Sequence, residues 1–113
     1  MISRTWHGIV PINNKYVFGA YLNETGVREA QAIEGNVAAY VHAVDQIEYT
    51  HFFLCTIWKT WEDVMLFAGD YPNIAVTYPE DEAYGLISDP IVIHQVVDTD
   101  NNPYIWESKG QFR

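Results

Sequence analysis

Residues 47–67, IEYTHFFLCTIWKTWEDVMLF, decide how the rest of the chain must be arranged. The stretch reads as an apolar strand that passes through a capped turn into a helix. A strand with one solvated face alternates apolar and polar side chains, whereas 52–58 is apolar on both faces. Thr60-Trp61-Glu62-Asp63 supplies a helix start, with Thr60 as cap and two acids at the positive end of the helix dipole. Trp61, Val64, Met65 and Ala68 follow at helical spacing, and Gly69 and Pro72 end the run. The unalternating strand needs cover on both sides.

Working outward, residues 2–10 alternate as a first strand. Ile2, Arg4, Trp6, Gly8 and Val10 share one face, and Pro11 stops it because it has no N–H to give a ladder. Asn13 or Asn14 is the expected cap of a first helix, in which Val17 with Tyr21 and Phe18 with Leu22 set an apolar stripe. Gly26 is expected to end or kink that helix. Residues 37–44 form a second strand, joined to the third through a tight connection at 45–48. Pairing 44 with 49 would put His42 against His51. Residues 73–78 read as one further helical turn, Glu80, Asp81 and Glu82 as a solvated loop, and 91–97, IVIHQVV, as a fourth strand.

The order is strand, helix, strand, strand, helix, strand, the pattern of an α+β, ferredoxin-like βαββαβ fold with a four-stranded sheet. One domain is expected over 1–97, followed by a tail at 98–113 whose Tyr104, Ile105, Trp106 and Phe112 suggest docking. Two helices cover one sheet face and leave the other apolar and open. A homodimer through the sheet faces is the simplest cover.

With 15 acidic and 6 basic side chains the formal charge is −9, and no basic cluster favours nucleic acid. The single cysteine, Cys55, excludes an internal disulfide. No signal-type segment and no apolar run near about 18 residues is present, so the expectation is a cytoplasmic protein that binds no membrane. Four Trp, eight Tyr and five Phe are many for 113 residues and point to an aromatic-lined interior or pocket.

Four segments carry a family resemblance: MISRTWHG at 1–8, Glu34-Gly35-Asn36 with Tyr40-Val41, Leu54-Cys-Thr-Ile-Trp58 running into Glu62, and Tyr78-Pro-Glu-Asp81. On these the chain resembles the antibiotic biosynthesis monooxygenase-like family of dimeric α+β barrels, over about residues 1–97. The resemblance implies a pocket between sheet and helices in each subunit. It also implies cofactor-independent oxygenation of a phenol, quinol or polyketide-like molecule or, in one branch, haem degradation. That branch uses an Asn, a Trp and a His at positions that here fall on Trp6, near Phe67, and near Thr77 or Tyr78. None matches.

Cofactor-free oxygenation asks the protein for an apolar cavity, a base, and donors for a developing oxyanion. Arg4 would hold the oxyanion; either His42 or His51 could act as general base, which would suit an isomerase or cyclase, and Arg4, His51 and Tyr78 are the catalytic candidates. Trp6, Phe52, Trp58 and Phe67 are the candidate substrate-binding aromatics. No metal and no cofactor is expected, because no short-range metal spacing, Gly-rich phosphate loop or CxxC motif occurs. An acid–base isomerase or cyclase using His and Tyr, and a non-catalytic small-molecule-binding dimer, stand as alternatives.

Overall fold

The computed structural model describes residues 1–97; the aromatic tail at 98–113, with its expected docking, lies outside the described residues. Within them the chain is α+β, with one antiparallel sheet of five strands. These are β1 (Ile2–Pro11), β2 (Asn36–Gln46), β3 (Tyr49–Trp58), β4 (Ile87–Ser88) and β5 (Ile93–Val96). Three helices pack beside the sheet: α1 (Lys15–Leu22), α2 (Arg28–Gln31) and α3 (Trp61–Ala68). The sheet order is β2-β3-β1, with β4 and β5 both paired to the far edge of β1.

The expected fourth strand is therefore two. Ser88 pairs with Gly8 and Ile93 with Thr5, so residues 89–92 stand opposite only Trp6 and His7. Two extra residues force a bulge, and Asp89-Pro90 sits in it because proline has no N–H for a ladder. The excursion is tied down on both sides. The Asp89 N–H donates to His7 O at 2.9 Å, while the Ala75 N–H donates to Pro90 O and the Val92 N–H to Asn73 O. Residues 73–78 are thus an extended strap bridged to Ile91, and the helical turn expected there does not form.

The β2–β3 hairpin closes more tightly than expected. Gln46 pairs with Tyr49 across a two-residue loop in which Ile47 takes a φ of 53°. A β-branched residue rarely adopts that backbone. The register moves by two residues, so Val44 opposes His51 and His42 opposes Phe53, and the expected His42–His51 pair is not made. A shift of two keeps every side chain on its face. Buried Thr50, Phe52, Leu54, Thr56 and Trp58 thus stay on the helix side, while His51, Phe53, Cys55 and Ile57 lie on the open side.

Gly26 does not break the first helix. Residues Asn23–Val27 make one wide π-type turn that joins α1 to α2, with Gly26 buried against Leu54 and Leu22. Asn14 does not cap α1 with its side chain either; its amide donates to Tyr84 O at 2.9 Å, pinning the loop beyond α3. The α3 start is as read: the Thr60 hydroxyl accepts from the Asp63 N–H. Gly69, at φ 83° and ψ −163°, ends that helix in a conformation open only to glycine.

Two core clusters result, one of Trp6, Val10, Phe18, Leu22, Val27, Phe52, Leu54 and Val92, the other of Ile2, Ala30, Trp58 and Val64. Both lie on the helix side. The opposite face keeps Tyr40 at 53%, Val44 at 45% and Ile93 at 60% exposure. Among the described residues, no helix is long and apolar enough to cross a membrane.

Candidate functional site

Between the two core clusters a partly open cavity of about 30 Å³ lies under the helices. Its floor is Arg4, Trp6 and Leu54 of the sheet, its walls Phe18, Tyr21, Leu22 and Gly26 of the first helix, and its roof Phe67, Val76, Tyr78 and Asp81. The space suits one or two waters. A broader groove of about 480 Å³ runs between α1 and the bare end of β2, but it is open to solvent and its charged groups are the Lys15–Asp45 pair at 2.7 Å.

Arg4 gives the smaller cavity its chemistry. It is 2% exposed, and no acid among the described residues forms an ion pair with it. Its Nη2 reaches Pro72 O at 3.4 Å and Ile74 O at 3.3 Å, carbonyls that the bulged strand edge brings in by holding the 73–78 strap. Among the described residues its Nε has no partner. The guanidinium lies 5.5 Å from the centre of the Phe67 ring, a cation–π contact. Burial lowers its pKa to about 10, opposed by Tyr78, so it stays charged at neutral pH. A buried charge without a counter-ion is costly.

His94 lies directly across the β1–β5 ladder from Arg4, on the same face. It too is 2% exposed, and neither ring nitrogen has a partner among the described residues. It packs 5.1 Å from the Trp61 ring of α3. Burial first, and the Arg4 charge second, lower its pKa to about 4, so the imidazole is neutral at pH 7.

The mouth is phenolic and acidic. The Tyr78 hydroxyl donates to Glu29 Oε1 at 2.7 Å, and the Tyr78 N–H donates to Asp81 Oδ2 at 2.8 Å. Burial, then the Glu29 hydrogen bond, raise the Tyr78 pKa; burial, then Asp81 and Glu80, raise that of Tyr21. Both phenols are therefore donors rather than bases. Asp81 corrects the reading of residues 80–82 as a plain solvated loop, since it caps the turn Pro79–Tyr84 and lines the cavity.

Of the residues singled out in the sequence, Arg4, Trp6, Phe67 and Tyr78 converge on this cavity. Trp6 is held by its indole N–H, which donates to Ser88 Oγ at 2.7 Å. Phe52 is core, edge-on to Phe18 at 5.0 Å. Trp58 is core as well, stacking at 5.5 Å on Phe67 and donating to Thr56 Oγ1 at 2.8 Å. Phe18, Tyr21 and Asp81 are additions at the cavity, and His94 is added as the cross-strand neighbour of Arg4 outside its lining. A cross-strand partner for Arg4 depends on the length of the bulge, which no periodicity reports.

His51 lies on the other side of the sheet, away from the cavity. There it joins a hydrogen-bonded row. Asp89 Oδ2 meets His7 Nδ1 at 2.7 Å, His7 Nε2 meets His51 Nδ1 at 2.8 Å, and His51 Nε2 meets Gln46 Oε1 at 2.6 Å. Both ends are acceptors, so these three bonds need three N–H groups on two rings, that is, one imidazolium beside Asp89. Turning the Gln46 amide over supplies a donor and leaves both rings neutral. Among the described residues, no group of three metal-capable side chains is assembled.

No family model matches this chain, and no curated protein matches it.

Proposed function

We propose that the chain is a cofactor-independent monooxygenase of ferredoxin-like, dimeric α+β-barrel architecture, acting on an aromatic, quinol or polyketide-like small molecule in the cavity between sheet and helices. One observation carries the reading: a fully buried guanidinium, without a carboxylate partner among the described residues, faces an aromatic-walled cavity. A charge kept in so costly a place is explained by a ligand that develops negative charge beside it. The sheet order β2-β3-β1 with the last strands beyond β1 is that of the ferredoxin-like pattern, which supports the architectural half.

In this chemistry the substrate loses a proton to give an enolate or phenolate, which transfers one electron to dioxygen. Radical recombination forms a peroxide, and loss of water leaves a carbonyl; a methylene and O₂ become C=O and H₂O. Arg4 stabilises the anion and so makes the proton easier to remove. Asp81 is the carboxylate at the cavity and takes the role of base for which the sequence offered His42 or His51. Tyr78 donates a hydrogen bond. Trp6, Phe18 and Phe67 hold the ring. The resting cavity does not admit a ring, so binding must displace a roof side chain, Phe67 or Tyr78.

The second copy would sit on the open sheet face. Three strands of ten or eleven residues and the two short last strands span on the order of 550 Å², below the roughly 800 Å² per partner of a standard interface and within reach of it once side chains at the rim are added. Phe53 lies near the middle, between His7 and His42. Sedimentation of wild type and Phe53→Asp should give a dimer and a monomer; a monomeric wild type removes the dimer.

The catalytic half is tested by oxygen uptake with hydroquinones and anthrone-like phenols. Turnover should be seen with wild type and fall at least about a hundredfold in Arg4→Met. No uptake with any of them removes the oxygenase. Turnover of a non-oxidisable keto–enol substrate in its place would favour the acid–base isomerase.

A further inference from the structure

In the oxygenase reading Arg4 stabilises charge that develops during reaction. The arrangement around it points to something more specific. A guanidinium that only stabilises a developing oxyanion needs one free donor. Here Nε has no partner among the described residues, and Nη2, its neighbour on the side-on edge, has only two long carbonyl contacts, at 3.3 and 3.4 Å, which a carboxylate oxygen would replace. That edge, Nε–H beside Nη–H, is the geometry that receives both oxygens of a carboxylate.

The neighbouring ring adds a second, independent observation. His94 is the cross-strand partner of Arg4, and cross-strand Cβ atoms on one face lie about 5 Å apart. Its two nitrogens are buried and unpartnered among the described residues. A neutral imidazole carries one N–H donor and one acceptor nitrogen, here on the residue across the ladder from Arg4. Arg4 Nε and one His94 nitrogen are thus two buried donors without an acceptor among the described residues, and an anion would serve both. A lone orphan would pass as a local packing cost. Orphans on two adjacent residues share one cause more simply.

We propose that Arg4 and His94 form a carboxylate-binding end to the cavity, so that the molecule it takes is an aromatic acid rather than a neutral quinol. The guanidinium edge takes the carboxylate and the His94 N–H supports one of its oxygens. The Phe67 face above the guanidinium and the Trp6 indole flank the attached ring. The cavity volume agrees: about 30 Å³ accommodates a carboxylate group but not the ring that bears it. The acids at the mouth, Glu29 and Asp81, and the net charge of −9 oppose an anion's approach. Affinity should therefore rise with moderate salt, the reverse of the usual trend for a charged ligand.

This inference rests on the cavity being the ligand site, but it needs no oxygen chemistry, so the two can fail separately. The experiment is calorimetric titration of the full chain with benzoate and with benzamide, which share a ring and differ in charge. Wild type should bind benzoate at least about tenfold tighter than benzamide. Arg4→Met should bring benzoate down to benzamide, Arg4→Lys should recover only part of the gap, and His94→Gln should narrow it. Nitrogen-15 spectra provide a readout that does not depend on affinity: the Arg4 Nε–H resonance should move on adding benzoate and stay still with benzamide. Equal binding of the two probes, a benzoate preference that survives Arg4→Met, or no binding of benzoate at all overturns the proposal. Turnover of neutral quinols alongside any of those results leaves the oxygenase standing without its carboxylate.

Discussion

Acid should destabilise this protein in a way that His94 dominates. In the unfolded chain a histidine titrates near 6.5, whereas burial and the Arg4 charge hold His94 neutral down to about 4. Between those values the unfolded state takes up a proton that the native state refuses, so stability falls as the pH drops from 6.5 towards 4. Above 6.5 both states are neutral, and below 4 both are charged, so the contribution is flat outside the window. The gap corresponds to about 3 kcal/mol, an upper figure because relaxation around the ring would reduce it. The perturbation that isolates it is His94→Leu, which removes the titrating group and its two unpartnered nitrogens while keeping an apolar side chain of similar reach. Urea unfolding followed by tryptophan fluorescence, run from about pH 7 to pH 4, should show the variant gaining on wild type by up to that amount as acid is added. At neutral pH the two should differ little, because loss of buried orphan atoms offsets imperfect packing. Curves that fall in parallel, with the other carboxylates alone responsible, would refute the reasoning.

Three further outcomes follow from single side chains. Arg4→Met should raise the urea midpoint, by about 1–3 kcal/mol of stability, because it replaces an unpaired buried charge with a side chain of similar length; a destabilised Arg4→Met would mean that the guanidinium is better satisfied than its contacts show. Gly8→Ala places a Cβ 2.5 Å from Trp6 Cζ2, a ring that the Ser88 hydrogen bond keeps from swinging away, so about 1–3 kcal/mol should be lost together with near-ultraviolet circular dichroism from Trp6. Thr60→Ala removes the acceptor for the Asp63 N–H at the start of α3 and should cost about 1 kcal/mol in thermal or urea unfolding, with the fold unchanged.

The features legible in the sequence were those set by local pattern. The unalternating run of β3, the alternation of β1 and the Thr60 cap each state their own geometry; they put Arg4 with Trp6 on one face of β1 and Phe52 with Leu54 on one face of β3, and left open which face the helices cover. A register error of two in the hairpin left that sidedness intact, since faces repeat every second residue. What was not legible depends on irregular backbone. The bulge at 89–92 divides the last strand, sets His94 opposite Arg4, brings Asp89 to His7 and pulls the 73–78 strap over the guanidinium. Its length follows from how the strap and the edge strand share hydrogen bonds, and the side-chain pattern is silent about that. His51 shows the same limit from the other side: a histidine on an apolar strand reads as a catalytic base until its face is known, and its face carries the row with His7 and Gln46.

The cavity around Arg4 is where this protein meets its small molecule. Titrating nitrogen-15-labelled protein with a dihydroxybenzoate under anaerobic conditions tests this most directly. The Arg4 Nε–H, the Trp6 indole N–H and the Gly26 amide should shift together and saturate. Shifts confined to Gln46, His51 and Cys55 on the open sheet face, or none at any concentration, would contradict it.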